Sequence, residues 1–490
     1  MLDHAPVLIL LVPLAAALLN PVLDVLGLRG AKAVSLAGVS GSLLLSANCL
    51  WRSIDGATLH YHLAGWSPPW GIELVIDPLS GFMATLVSAI ALLAAFYSTP
   101  FISGWSPHRA GTFYSVYCLL VVGLQGIVLT GDLFNLYVFL EVSSLAAYAL
   151  MSKGGSRAIV AVFRYLLVGT IAASFYLIGV GYLYAMTGTL NMADMASRLP
   201  SASDSPVVVV AASFIVIGLA IKAALFPLHG WLPDVYTYAP GPVVGFIAAV
   251  MTKVSAYALY RILYFVFDTE GGPREPILLL GWASVIAVVA GSLMALAQKD
   301  VQRMLAYSSI GQMGYIMLGF AIGTPLALAG ALLHVLNHAV MKGCLFMAVN
   351  GIQWKLGVFR VRDFSGMGAR LPLTMGAFTI AALSIIGLPP TAGFFSKYYL
   401  ALAAIESGQV AFLLALVISS LLSAVYFFRV IERAYLMQRT ETVETPELPE
   451  LPELPRTMLT PVIALAVLVL LLGVFNHAIV VEVILPGLPS

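Results

Sequence analysis

Charge is what this chain lacks most. Only 10% of its 490 residues are Asp, Glu, Lys or Arg, against about 25% in soluble domains. That scarcity excludes a soluble globular protein, and no stretch is polar enough to form a separate soluble domain. Cysteine is almost as rare. Cys49, Cys118 and Cys344 stand far apart with no CxxC or Cys/His cluster, so nothing points to iron–sulfur, structural zinc or a disulfide framework. A Walker A loop, a dinucleotide fingerprint and a nucleophile elbow are all missing, and no cofactor and no hydrolytic or redox activity of the chain itself is expected. The net charge of +1 implies no nucleic acid and no acidic partner. The opening Met-Leu-Asp-His lacks the basic region of a cleavable signal peptide, so the first helix is expected to remain as an anchor.

Apolar segments fill the space that charge leaves. Hydrophobic residues make up 60% of the chain, and a helix needs about 20 of them to cross a bilayer. Fourteen spans are predicted, including 133–152, 206–238, 243–267, 326–350 and 373–404, in a single all-α transmembrane domain covering 1–490. With the N-terminus outside, fifteen lysines and arginines fall in or beside inner connections and four in outer ones. That bias follows the positive-inside rule. It predicts a multi-pass protein of the cell membrane, surrounded by lipid, with both termini on the outer side. The polar run from about 433 to 456, with its Pro-Glu-Leu repeat, reads as a stiff extended connection.

Two predicted spans are interrupted. In the seventh, Lys222 precedes Phe-Pro-Leu-His-Gly-Trp-Leu-Pro, so that Pro227 and Pro233 break the helix. In the twelfth, Gly387-Leu-Pro-Pro-Thr-Ala-Gly393 precedes Lys397. Proline removes a backbone donor and kinks a helix. Unwound backbone at membrane depth survives only inside protein or along a wet cavity. Broken helices in both halves of a chain point to an inverted-repeat transporter with its site at the breaks, here five-helix repeats at 112–267 and 276–436.

Five charges lie where charge is costly. Glu141, Lys222, Lys253, Lys342 and Lys397 sit within apolar segments, at roughly 2.5–3.5 kcal/mol each near mid-bilayer. Glu141 is the one acid deep in a span, and Lys222 is its natural partner. A fixed ion pair that only specifies helix packing is the competing reading. Lys253 falls near the middle of the eighth span, too far from either end to snorkel. In the eleventh, His334, His338 and Lys342 recur every four residues and form one stripe about 12 Å long, suited to proton relay or to plain interhelical hydrogen bonding. Two histidines on one helix face suit haem poorly. Arg164 could stabilise Glu141 or anchor at the inner surface. Asp77 and Asp234 sit at interfaces, where acids more often cap helices, and His229 lies within the first break.

Three long segments carry a family resemblance: KAALFPLHGWLPDVYTYAPGPVVGFIAAVMTKVSAYALYR from Lys222, QKDVQRMLAYSSIGQMGYI from Gln298 and HVLNHAVMKGCLF from His334. The chain resembles the antiporter-like subunits of respiratory complex I and of Mrp cation/proton antiporters, and within them looks most similar to the D-type of Mrp. The resemblance implies fourteen helices with broken seventh and twelfth spans. It gives Glu141 and Lys222 as the essential ion pair, Lys253 as the lysine of the eighth helix, His334 and His338 as a polar relay, and Lys397 as the terminal exchange residue. It also implies other membrane subunits as partners, with protons and a monovalent cation, Na+, as the transported species. Lys397 departs from the glutamate of the complex I M-type. A proton-pumping subunit of a complex I-type NADH-quinone oxidoreductase or a membrane-bound hydrogenase is the alternative.

Overall fold

The computed structural model describes residues 4–27, 30–54, 57–202, 205–267, 274–437 and 453–489. Most of the polar run expected as an extended connection therefore lies outside the described residues. The long helices, in chain order, are α1 (Ala5–Val25), α2 (Ala31–Ser53), α3 (Pro78–Tyr97), α4 (Pro107–Leu129), α5 (Leu133–Met151), α6 (Ser156–Thr187), α7 (Pro206–Lys222) and the short α8 (Leu232–Tyr238). They continue as α9 (Gly241–Arg261), α10 (Arg274–Leu296), α11 (Val301–Ile322), α12 (Pro325–Leu356), α13 (Pro372–Ile386), α14 (Ala392–Glu406), α15 (Val410–Tyr435) and α16 (Arg456–Val474). Twelve of the described helices are long and apolar enough to cross a membrane. Of the sixteen helices named above, the four that fall short, α7, α8, α13 and α14, are the pieces of the two interrupted segments.

Local sequence explains where these helices begin. Asp77 caps α3 through a reciprocal pair with Ser80, its carboxylate accepting from the Ser80 amide at 2.8 Å while the Ser80 hydroxyl accepts from the Asp77 amide. Asp132, Asp300 and Thr324 cap α5, α11 and α12 in the same sense, each satisfying an orphan amide of the first turn. Proline at the first position of α3, α4, α7, α12 and α13 fits the same logic, since its missing N–H is one the helix would leave unpaired.

The bundle is layered. The apolar stretches of α9 and α12 are buried along their whole length, whereas those of α1, α6, α10, α15 and α16 are 39% buried. These outer helices turn broad apolar faces outward, as lipid-facing helices must. α12 packs against α9, α11, α13, α14 and α16 and so forms the axis of the molecule. Its 32 residues span about 48 Å, more than the roughly 30 Å of hydrocarbon.

A small antiparallel hairpin, β1 (Leu59–His62) and β2 (Glu73–Ile76), pairs Leu59 with Ile76 and His62 with Glu73. It was not expected from the apolar pattern. Buried Glu73 accepts from Asn191 Nδ2 at 2.7 Å and contacts His60 Nδ1 at 3.1 Å, tying the hairpin to the α6–α7 connection, while its carbonyl accepts from the Gly131 amide of the α4–α5 connection at 3.0 Å.

Candidate functional site

Both interrupted helices end the same way. After α7 the chain enters the left-handed region at Ala224 (φ 55°), and after α13 it does so at Gly387 (φ 94°). Each break therefore leaves a helix C-terminus inside the protein. At α7 the Leu219, Ala220 and Ile221 carbonyls accept from the amides of Ala223, Leu225 and Ala224, whereas the end of α13 takes its donor from a lysine. Lys222 is the last residue of α7. Lys397 begins the second turn of α14 and reaches back across the break, its ammonium donating to the Ile385 carbonyl at 2.7 Å and the Ile386 carbonyl at 3.3 Å. Lys397 thus sits at the negative pole of α13, where a cation is favoured, while the Lys222 ammonium turns to α5.

Their other partners differ. Lys222, 3% exposed, lies 3.5 Å from Glu141 Oε1 and donates to Ser144 Oγ at 2.7 Å. Glu141 and Ser144 are three residues apart on α5 and so share one helix face. Glu141 is 29% exposed, on a face whose other exposed members, Phe134, Val138 and Leu145, are apolar. Tyr148, one turn beyond Ser144, closes the pocket. Its hydroxyl fits only because α6 has no side chain at Gly169, where a Cβ would come within 2.0 Å of it and 3.7 Å of the Lys222 nitrogen. Lys397 has no carboxylate partner among the described residues. Besides the α13 carbonyls it donates to Ser420 Oγ at 3.1 Å, and it stands 4.7 Å from the centroid of the Tyr315 ring, a cation–π geometry.

Between these ends lies a polar seam on the two fully enclosed helices. Lys253, fully buried, donates to the Ala248 carbonyl of its own helix at 2.5 Å, and Lys342 donates to the Leu305 carbonyl of α11 at 2.9 Å. His338, with no exposure, lies within electrostatic reach of both lysines and of His334. Among the described residues neither ring nitrogen of His338 has a hydrogen-bond partner. The His334 and His338 rings stack nearly parallel with centroids 6.0 Å apart, as one helical turn requires. His334 is tethered instead. Its Nε2 donates to Gln312 Oε1 at 3.0 Å and its Nδ1 accepts from Ser396 Oγ at 2.9 Å, a tautomer assigned from the amide orientation. Ser396 adjoins Lys397, and the Tyr315 ring stacks on His334 at 5.5 Å while facing the Lys397 ammonium. The run Lys253, His338, His334, Lys397 is therefore a set of spatial neighbours.

Among the described residues no hydrogen bond joins Lys222 to Lys253. The interval is occupied by aromatic and hydroxyl groups. Tyr148 meets Tyr165 edge-on, Tyr165 stacks on Trp231 at 3.8 Å, and Trp231 meets Tyr236 edge-on. The Tyr236 hydroxyl lies beside that of Thr252, the residue next to Lys253. Both hydroxyls are buried, and among the described residues neither has a partner within hydrogen-bond geometry. Two adjacent buried hydroxyls mark a polar gap between the two lysines.

The remaining candidates lie apart from the seam. Arg164 does not pair with Glu141. It contacts Asp234 at 3.4 Å, and Arg303 contacts the other carboxylate oxygen at 3.1 Å. Asp234 thus bridges two arginines at the edge of the bundle, and its side chain caps no helix. His229, half-buried in the first break, stacks on Phe226 at 5.0 Å and has an unpartnered Nδ1. Asp77, besides capping α3, forms an ion pair with the largely buried Arg261 at the end of α9.

Ser144, Tyr148, Tyr236, Gln312, Ser396 and Ser420 were missed in the sequence. Hydroxyls and amides are common in membrane helices, and only their distance from a charged residue across helices sets these apart. Ser144 and Ser396 did carry a signal, three and one residues from candidate charges on the same helical turn.

Residues 130–423 match the family model described as NADH:quinone oxidoreductase/Mrp antiporter, transmembrane. Over its full length the chain is 54% identical to the N-type subunit of the NADH-quinone oxidoreductase of Desulforudis audaxviator, 99% of which is covered. It is 34% identical to the D-type subunit of the Na(+)/H(+) antiporter of Alkalihalophilus pseudofirmus, over 76% of this chain and 75% of that one. The fold superposes on a chain of the Mrp complex from Dietzia sp. DQ12-45-1b with a TM-score of 0.90 at 28% identity, covering 99% of this chain and 97% of the other. The higher and longer identity to an N-type subunit means that the D-type is not favoured within the family. With long matching segments in order and a shared fold, the chain belongs to the family of NADH:quinone oxidoreductase and Mrp antiporter membrane subunits.

Proposed function

We propose that this chain is a proton-translocating subunit of a multisubunit membrane complex. The observation that carries the reading is the pair of wholly buried helices, α9 and α12, bearing Lys253, Lys342, His334 and His338 with no carboxylate in contact among the described residues. A structural ion pair has two signs. A run of amines and imidazoles with one sign is poor scaffolding, since each buried ammonium lacks a counter-charge. It does suit a sequence of sites that take and release protons. Protons would enter from the inner side near His229, pass Lys222, cross the Tyr236–Thr252 gap by water, and run along Lys253, His338 and His334 to Lys397. Movement of Glu141 relative to Lys222 would set whether Lys222 holds or passes its proton.

Each broken pair, α7 with α8 and α13 with α14, would make one crossing. That count gives fourteen spans in the cell membrane, with both termini outside and inverted repeats at 112–267 and 276–436. Two assemblies suit the chain. The full-length similarity to an N-type subunit supports a redox-driven proton pump whose electron-carrying groups lie in partner subunits. The close superposition on an Mrp chain supports a cation/proton antiporter in which neighbouring membrane subunits carry Na+. The transport step is shared by both, and this chain performs no catalysis of its own in either.

Reconstituted complexes bearing Lys222→Ala or Lys397→Ala test the reading. Proton uptake should fall to background for each, with the complex still assembled. Full uptake by either variant would remove the lysines from the path.

A further inference from the structure

A cavity unconnected with the proton seam opens between α1, α2 and α4, with a volume of about 720 Å³, within the roughly 300–1,000 Å³ of sites for small molecules. It lies at the end of the bundle where α1 finishes and α2 and α4 begin. Its mouth is basic. Lys32, the second residue of α2, lines it, as does the indole of Trp105, with the Arg109 guanidinium 4.7 Å and the Lys153 ammonium 6.0 Å from the ring centroid. None of these three cations has an ion pair among the described residues, and the one acid at the mouth, Asp24, contacts His108. The cavity then runs inward along Leu36, Ile102 and Tyr114. On its wall stands Asn20, fully buried, whose Nδ2 donates to Ser35 Oγ at 2.8 Å and whose Oδ1 has no partner among the described residues. Because a serine hydroxyl donates as readily as it accepts, the amide can be exchanged end for end, which leaves its NH2 group as the free donor on that wall.

Cations and an indole at the membrane edge, one amide deeper and an apolar floor reproduce the order of groups along a glycerophospholipid: phosphate, ester carbonyl, acyl chain. We infer that this cavity is a binding site for a single anionic glycerophospholipid. The phosphate lies against Lys32 and Arg109, an ester carbonyl accepts from Asn20, and the glycerol backbone with the first methylenes of the acyl chains fills the space beside Leu36 and Tyr114, the rest of the chains lying in the surrounding bilayer. The Trp105 ring, flanked by Arg109 and Lys153, holds the interface level, as tryptophan does in membrane proteins.

The test is native mass spectrometry of the full chain, purified in mild detergent and reconstituted beforehand in nanodiscs of phosphatidylglycerol and phosphatidylcholine. One phosphatidylglycerol per chain should survive delipidation. The Lys32→Ala/Arg109→Ala chain should retain it at least about tenfold less often, since each basic residue near a membrane surface contributes measurably to anionic lipid binding. Lys32→Arg should retain it fully, which separates lost charge from lost folding. Equal retention by the double variant, or equal retention of phosphatidylcholine, would overturn the assignment. So would displacement of the lipid by excess inorganic phosphate, which would make this a free-phosphate site, or a cross-link from Trp105 to a co-purified protein, which would make the cavity a protein interface.

Discussion

Shortening Glu141 by one methylene is the most discriminating perturbation of the charge pair. The carboxylate lies 3.5 Å from the Lys222 ammonium, and Glu141→Asp withdraws it to roughly 5 Å with the helices in place. At an effective dielectric of about 20, Coulomb's law gives about 4.7 kcal/mol of attraction at the first distance and about 3.3 at the second, a loss of about 1.4 kcal/mol. If the attraction sets how firmly Lys222 holds its proton, that loss corresponds to about a tenfold change in the occupancy governing transfer. Glu141→Gln removes the charge and should cost more than a hundredfold. The assay is dye-monitored proton uptake by proteoliposomes of the assembled complex, driven by its native energy source, with protein composition checked on the same preparation. The expected order is wild type, then aspartate at about a tenth of the rate, then glutamine near background. Glutamine matching wild type, or aspartate as inactive as glutamine, would refute an electrostatic role graded by distance.

Three further outcomes follow from the same geometry. Gly169→Ala should displace the Tyr148 hydroxyl, since the new Cβ would come within 2.0 Å of it; uptake should fall severalfold with helix content by circular dichroism unchanged. His338→Phe should abolish uptake while leaving the thermal midpoint within a few degrees, because its nitrogens have no hydrogen-bond partner among the described residues, whereas His334→Phe should also lower stability by about 1–3 kcal/mol by orphaning Gln312 and Ser396. Arg164→Ala should change uptake less than twofold and stability by under about 1 kcal/mol, as an exposed pair whose acid keeps Arg303.

What could be read in advance divides along a physical line. Buried charges were legible because an apolar run of about 20 residues leaves few ways to solvate a lysine, and Lys253 does lie on a helix whose apolar stretch is wholly enclosed. The interruptions after Lys222 and before Lys397 were legible in their prolines, whose effect on a helix is local. Contacts across helices were not. Arg164 is 23 residues from Glu141 in sequence and 70 from Asp234, and no helical periodicity says which carboxylate it reaches. Nor does the sequence indicate that Lys397 would use the carbonyls of α13 where Lys222 uses a carboxylate, since a helix C-terminus acts as a negative group only once the fold aims it. The β1–β2 hairpin escaped because four-residue strands are too short for an apolar period to register. The cavity between α1, α2 and α4 draws on three helices and a loop, none of which signals it alone.

The central claim, that amines sealed inside the bundle are retained for proton transfer and not for packing, is tested most directly at Lys253. Lys253→Met keeps the volume and removes the charge from a fully buried position. Proton uptake and thermal stability should be measured on one reconstituted preparation. The expected result is an assembled complex, at least as heat-stable as wild type because a costly buried amine is gone, with uptake at background. Undiminished uptake, or activity lost only in step with unfolding, would contradict it.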